Sequence, residues 1–217
     1  MRSFDRLLLV LGLGAALTIS WHHGWAQKIL GIDGGYLAEE VSISAPIVPQ
    51  HPVQHTYSSA EREVFPWGEW EMETLADYEV SGIVMSRRRN MDVLYEVSEF
   101  DIAMVWGDVS VPATARQIRT THGRRYARFV VSTDLGFTID EFVRQSANVH
   151  TIPANDEIKA QIRSLRKGDV ATFKGRLVEV RGDKLSRPWR SSLIRTDHEF
   201  KGCEIMLVEE VVIDRGP

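Results

Sequence analysis

The chain has 217 residues, of which 43% are hydrophobic and 26% are charged, and its formal net charge is −4. These proportions are those of an ordinary folded domain, and the negative balance argues against a general affinity for nucleic acid or anionic lipid. The single cysteine, Cys203, excludes an intrachain disulfide.

The first thirty residues have the pattern of an export signal. Two arginines precede an apolar run over residues 7–21, and a short stretch with small residues ends at Ala26. A basic segment, an apolar segment and a small-residue exit, in that order, are typical of a secretory signal peptide. We therefore expect residues 1–26 to be a signal peptide or a signal anchor.

The length of the apolar run leaves both forms open. A helix needs about 20 apolar residues to cross a bilayer core, and residues 7–21 are fewer. The segment is either cleaved or kept as an anchor that holds the protein in the membrane through residues 7–21. The basic residues stay on the cytoplasmic side in both cases. We expect an exported protein, either in the periplasm or anchored in the inner membrane and facing the periplasm.

The chain after the signal divides into a linker and one domain. Residues 27–73 include Pro46, Pro49 and Pro52, and proline resists helix and favours extended chain. We interpret this segment as an extended linker. Residues 74–217 carry regular strand and helix patterns, which predict one β-rich globular domain.

Alternating apolar residues predict three strands in the first half of this domain, over residues 78–85, 100–106 and 124–133. In the second half, Ile158, Ile162 and Leu165 repeat on one face of a helix that begins near Asn155. Three more strands are predicted over residues 169–181, 189–195 and 203–213. Because the last strand is strongly apolar, we expect Cys203 to be buried.

The strand over residues 169–181 changes the parity of its apolar residues at Gly175. Such a change at a glycine is typical of a β-bulge or a sharp bend. A helix, a bent strand and two further strands occur in small, partly open β-barrels, including the oligonucleotide/oligosaccharide-binding type. The predicted fold class is α+β, a strand-rich single domain with one or two helices, and a partly open barrel is one form of it.

Four strings of residues are distinctive. They are Val80-Ser-Gly-Ile-Val-Met-Ser-Arg-Arg88, Ser146-Ala-Asn-Val-His-Thr-Ile-Pro-Ala154, Gly175-Arg-Leu-Val-Glu-Val180 and Trp189-Arg-Ser-Ser-Leu-Ile-Arg-Thr-Asp197, the last followed by Cys203-Glu204. They resemble an uncharacterised family of exported or membrane-anchored bacterial envelope proteins. The resemblance implies export and a single β-rich domain, and no activity comes with it.

One candidate site consists of Ser146, His150, Ser192 and Asp197. These residues offer serine nucleophiles, a histidine base and a carboxylate that orients the base, which are the roles needed in a hydrolase. The alternative is that the same side chains satisfy buried backbone groups. No Gly-x-Ser-x-Gly motif is present in the sequence to favour the hydrolase.

A second candidate site is rich in arginine. We select Arg87, Arg88, Trp106 and Arg195 as ligand-binding residues, because guanidinium groups beside aromatic rings suit phosphorylated or carboxylated polymers. The alternative is that the arginines keep a hairpin tip soluble. The sequence has no motif for a cofactor and no set of side chains with the spacing of metal ligands.

These features predict a non-enzymatic binding or assembly component of the bacterial cell envelope. Its partner is expected to be an envelope protein or an anionic polymer, and not nucleic acid. The alternative function is a hydrolase of an envelope substrate, which needs His150 and a serine hydroxyl within hydrogen-bond reach in a concave pocket.

Overall fold

The computed structural model describes residues 45–131, 136–194 and 203–215. The strands in these ranges are β1 (Val53–Thr56), β2 (Val64–Trp67), β3 (Trp70–Arg89), β4 (Phe100–Val105), β5 (Arg119–Gly123), β6 (Tyr126–Val130), β7 (Ser146–Pro153), β8 (Val170–Arg181), β9 (Trp189–Arg190) and β10 (Glu204–Asp214). The α-helices are α1 (Pro112–Ala115), α2 (Ile139–Val143) and α3 (Asp156–Ser164), and a 3₁₀ turn spans Gly107–Ser110.

The predicted signal or anchor, residues 1–26, lies outside the described residues. Within the described ranges, no helix is both long enough and apolar enough to cross a membrane.

Eight strands form one large mixed sheet in the order β1-β3-β4-β7-β10-β8-β9, with β2 also paired to β3. Since β3 pairs with β8 as well as with β4, the pairings β3-β4-β7-β10-β8 return to β3. Within this ring β7 and β10 are parallel, and the other pairs are antiparallel. The structure confirms a strand-rich α+β fold, in which β1, β2 and β9 extend the sheet so that the whole is not a closed barrel.

The sheet changes register opposite Gly175. The shift lies in β10 between Val208 and Glu210, and Val208 is the residue paired with Gly175 of β8. A β-carbon at Gly175 would lie 2.0 Å from the main-chain oxygen of Leu207. The irregularity that the parity change predicts is therefore present, and the close approach of the two strands requires glycine there.

The larger hydrophobic core packs the sheet against α3. The side chain of Asn155 accepts a hydrogen bond from the main-chain N–H of Ile158 and caps the helix. Ile158, Ile162 and Leu165 are all buried in this core. The predicted helix is thus confirmed, together with the face that it buries.

The prediction that residues 27–73 form an extended linker is wrong for residues 45–73. Val48 is 2% exposed in the core, and β1 and β2 both pair with β3. The physical reason is that extended, proline-containing chain also suits strands at the edge of a sheet, where Pro66 of β2 lies. Residues 27–44 lie outside the described residues.

The connection between β4 and β7 carries a separate two-stranded sheet, β5 with β6. Arg124 and Arg125 form its turn, with φ of +49° and +68°, whereas the sequence predicts that they begin a strand. Two-residue hairpin turns with positive φ usually hold glycine or asparagine. An arginine pair in this conformation indicates that side-chain contacts hold the turn.

Candidate functional site

Asp101 and His150 face each other across the β4–β7 pair. Their side chains are 0% and 3% exposed, and His150 Nδ1 lies 2.8 Å from Asp101 Oδ1. Ionisable groups that are removed from water are stable only when they are paired and hydrogen-bonded. This pair is the centre of a buried polar cluster, which we call the Asp-His-Cys cluster after Asp101, His150 and Cys203.

Arg125 reaches the cluster from the β5–β6 turn. Its Nε and Nη2 atoms each donate to a different carboxylate oxygen of Asp92, at 2.6 Å, and its guanidinium group also donates to Ser98. Arg125 Nη1 lies 3.5 Å from Asp101 Oδ1, and the guanidinium carbon lies 5.2 Å from the ring centre of Trp189. These contacts hold the turn in a conformation that otherwise costs an L-residue about 1–2 kcal/mol.

Cys203 stands immediately before β10. The parallel pairing of Ile205 with His150 places Cys203 beside Asn148, so that the thiol, the amide and the imidazole share one face of the sheet. Asn148 Nδ2 lies 4.0 Å from Cys203 Sγ and 3.0 Å from the main-chain oxygen of Arg125. The sequence predicts that Cys203 is buried, but the structure shows it half-buried. The reason is that Cys203 precedes the apolar strand instead of lying within it.

The pKa of His150 is set by opposing effects. Burial lowers it, but hydrogen bonds to Asp101 and Cys203, together with the negative charge of Asp101, raise it to about 9. An imidazole with that pKa carries a second proton at neutral pH. The cluster therefore holds a buried imidazolium between a carboxylate and a thiol.

Two acceptor atoms of the cluster have no hydrogen-bond partner among the described residues. They are Asn148 Oδ1 and Asp101 Oδ2, and the two residues are 7% and 0% exposed. A buried acceptor without a donor costs about 1–3 kcal/mol. Most buried acceptors in folded proteins are paired, so these two atoms are exceptions.

The serines of the predicted hydrolase are engaged elsewhere. The Ser146 hydroxyl donates to the main-chain oxygen of Phe142, and the Ser192 hydroxyl donates to that of Ile194. A hydroxyl has one proton to donate, so neither serine is placed to give its proton to His150. The structure therefore does not favour a serine nucleophile.

The partner of His150 is Asp101, which sequence reasoning missed. Asp101 lies 49 residues before His150, and Asp197, the selected carboxylate, lies outside the described residues. The signal that points to Asp101 is its position inside the otherwise apolar run over residues 100–106. A charged residue in such a strand needs a buried partner.

The predicted ligand-binding residues fall in different places. Arg87 lines a groove of about 470 Å³, and its guanidinium carbon lies 4.9 Å from the ring centre of Phe100. Arg88 is exposed on β3, and Arg195 lies outside the described residues. Trp106 is 0% exposed and belongs to the hydrophobic core, so its selection was wrong: the ring continues the buried run of β4 instead of facing a ligand.

The groove beside Arg87, which we call the arginine groove, is lined by Arg87, Arg89, Glu99, Phe100 and Arg163. Glu99 is 5% exposed and lies 2.7 Å from Arg89 Nε and 3.2 Å from Arg163 Nη2. Lys159 Nζ lies 3.5 Å from the same carboxylate.

The charge of the arginine groove is positive. Burial raises the pKa of Glu99, but its hydrogen bonds to arginine and the nearby positive charges outweigh burial and hold the pKa below its usual value. Glu99 is therefore ionised at neutral pH and compensates one of the three arginines that line the groove, Arg87, Arg89 and Arg163. A surplus of two positive charges remains beside the ring of Phe100.

No group of three or more His, Cys, Asp and Glu side chains within residues 45–131, 136–194 and 203–215 is arranged to hold a metal ion. Comparison with known proteins found no match, since no family model, curated protein or solved structure matches this chain. We derive its function from the geometry of the arginine groove and of the Asp-His-Cys cluster.

Proposed function

We propose that this protein is a non-enzymatic binding component that takes an anionic group in the arginine groove. The observation that carries the proposal is the set of three arginines beside one buried carboxylate in a groove of about 470 Å³. Guanidinium groups bind carboxylate and phosphate oxygens through two parallel hydrogen bonds. Arg87 makes no ion pair with Glu99, so its guanidinium group is the one most available to bind the ligand.

The ligand that suits this groove is a polymer with repeated carboxylate or phosphate groups. A single small anion satisfies one guanidinium group, whereas the groove offers three guanidinium groups and a surplus of two positive charges. The polymer class also agrees with the predicted export, because carboxylated and phosphorylated chains are components of bacterial envelopes. We place the protein there, released in the periplasm or anchored through residues 7–21, on the strength of the sequence of residues 1–26.

A finer description of the fold supports a binding role by analogy. The ring of pairings β3-β4-β7-β10-β8, with β7 and β10 parallel and α3 between β7 and β8, agrees with a partly open, five-stranded barrel of the oligonucleotide/oligosaccharide-binding type. Fold analogy does not establish a ligand. The proposal therefore depends on the charges of the groove and not on the fold.

The test is calorimetric titration of the protein with two polyanions, polygalacturonate and poly(glycerol phosphate), and with neutral dextran. We expect binding to at least one polyanion at 50 mM salt, weaker binding at 200 mM salt, and no binding to dextran. Arg87→Gln and Arg163→Gln should each weaken binding about ten- to hundredfold, since a hydrogen bond to a charged group contributes about 1.5–3 kcal/mol.

The matched control is Arg128→Gln, which removes an exposed arginine of β6 that does not line the groove. This variant should bind as the unaltered protein does. The proposal is refuted if neither polyanion binds at 50 mM salt, or if Arg128→Gln weakens binding as much as the two groove variants.

A further inference from the structure

A smaller cavity adjoins the arginine groove. Its volume is about 10 Å³. It is lined by Glu99, Phe100, Thr151, Pro153, Lys159 and Ile162. Because Glu99 and Phe100 also line the arginine groove, a molecule bound in the groove lies beside this cavity, which we call the side cavity.

The side cavity lies where α3 packs on the β4–β7 pair. Phe100 and Thr151 are paired across the two strands, and Pro153 ends β7. The helix adds Lys159 and Ile162, which lie three residues apart on one face. Phe100 and Ile162 are both buried in the hydrophobic core. Side chains on strands and helices hold their positions more precisely than those on loops, so the side cavity has a defined shape.

The polar side chains of the side cavity are already engaged. The Thr151 hydroxyl donates to the main-chain oxygen of Phe100 at 2.8 Å. The two carboxylate oxygens of Glu99 accept hydrogen bonds from Arg89 and Arg163, at 2.7 and 3.2 Å. A buried water molecule needs about 2–4 polar partners, whereas an apolar group needs none. The side cavity therefore suits an apolar group better than a water molecule.

The size and position of the side cavity specify that group. A cavity of about 10–15 Å³ is large enough for one water molecule, and a methyl group is the apolar group closest to water in size. The guanidinium carbon of Arg87 lies 4.9 Å from the ring centre of Phe100, and the same ring lines the side cavity. An anion on Arg87 and a methyl group in the side cavity therefore contact one aromatic ring, so that a single repeat of a polymer supplies both.

We propose that the arginine groove selects polymers in which the carbon that bears the carboxylate also bears a methyl group, as in a 1-carboxyethyl (lactyl) ether of a sugar. The carboxylate binds the guanidinium group of Arg87, and the methyl group enters the side cavity. This selection rests on the proposed function, since it requires an anionic polymer in the groove. A polymer with the same carboxylates but without the methyl group binds more weakly, because it buries less apolar surface.

The test compares carboxymethyl dextran with 1-carboxyethyl dextran at the same degree of substitution. The two polymers differ by one methyl group on each charged substituent, and neutral dextran is the blank. Calorimetric titration at 50 mM salt measures the affinity per carboxylate for each configuration of the 1-carboxyethyl group. We expect at least one configuration to bind about fourfold more tightly than carboxymethyl dextran, which is the factor that burial of one carbon group contributes.

Two substitutions of Lys159 test the wall of the side cavity. Both Lys159→Met and Lys159→Ala remove the positive charge, and both residues are favourable in a helix. Methionine keeps a long side chain along the cavity, whereas alanine removes most of that wall. The fourfold preference for the methyl group should therefore persist in Lys159→Met and fall below about twofold in Lys159→Ala.

The outcomes separate this selection from the proposed function. Equal affinity for carboxymethyl dextran and for both forms of 1-carboxyethyl dextran overturns the role of the side cavity and leaves the groove as an anion site. Loss of the preference in Lys159→Met also overturns that role. If polygalacturonate or poly(glycerol phosphate) binds but 1-carboxyethyl dextran does not, only the selection fails. If none of these polyanions binds, the proposed function fails and the selection fails with it.

Discussion

Substitution of Gly175 by alanine tests the register change between β8 and β10. The added β-carbon would lie 2.0 Å from the main-chain oxygen of Leu207 and 3.1 Å from the main-chain nitrogen of Glu209. An ordinary carbon–oxygen contact is about 3.3 Å, so the strands must separate by about 1.3 Å at this point. Both neighbouring atoms belong to the backbone, and a side-chain rotation cannot relieve the contact.

The expected loss of stability is about 3–5 kcal/mol. This range is at or above the upper end of what overpacking usually costs, because the pairing of β8 with β10 is part of the ring of strands. A domain of this size loses about 2–4 °C of melting temperature per kcal/mol, so the melting temperature should fall by at least about 6 °C. Thermal unfolding followed by circular dichroism measures the change, and urea unfolding gives the free energy.

The matched control is Gly123→Ala in β5, where an added β-carbon meets nothing within 4 Å. Its melting temperature should stay within about 2 °C of the original, because only the chain entropy of the unfolded state changes. Equal melting temperatures for the two alanine variants would contradict the close approach of β8 and β10 at Gly175.

Three other predictions concern the cluster and the N-terminus. Because folding raises the pKa of His150 from 6.5 to about 9, its stabilising effect is complete below pH 6.5 and is lost as the pH rises through 9. The melting temperature should therefore fall over this interval. The fall should be smaller in His150→Gln, and a fall of equal size in this variant would refute the assignment to His150. Arg125→Ala should cost about 1.5–3 kcal/mol in urea unfolding, since it removes the charged hydrogen bonds to Asp92 and the positive charge beside buried Asp101. Arg125→Lys should recover only part of this loss, because lysine lacks the two-pronged geometry that binds Asp92. An unchanged unfolding midpoint for either variant contradicts this role. Residues 1–30 fused to a reporter that is active only outside the cytoplasm should give activity, and an inactive reporter would remove the basis for export.

The elements with a clear apolar period were predictable from the sequence. The stripe of Ile158, Ile162 and Leu165 identifies α3, since burial of one helical face leaves a visible repeat. The parity change at Gly175 identifies the irregular part of β8. The turn at Arg124 and Arg125 was not predictable, because its conformation depends on contacts with residues far away in the chain.

The candidate site was predictable only in its residue types. His150 and Arg87 were selected because histidine and arginine commonly carry chemistry, but their partners Asp101 and Glu99 were not selected. Those partners come together only through the pairing of β3, β4 and β7, which a single sequence does not specify. Cys203 was expected to be buried, and its contact with Asn148 depends on the parallel register of β7 and β10.

The two sites lie on opposite faces of one strand pair. Arg89 is paired with Phe100, and Arg88 is paired with Asp101. Successive residues of a strand point to opposite faces, so Arg89 and Phe100 belong to the arginine groove while Arg88 and Asp101 face the cluster. The backbone of β3 and β4 separates an anion in the groove from the thiol. A substitution in the arginine groove should therefore leave the Asp101–His150 pair in place, and a substitution in the cluster should leave the arginines of the groove in place.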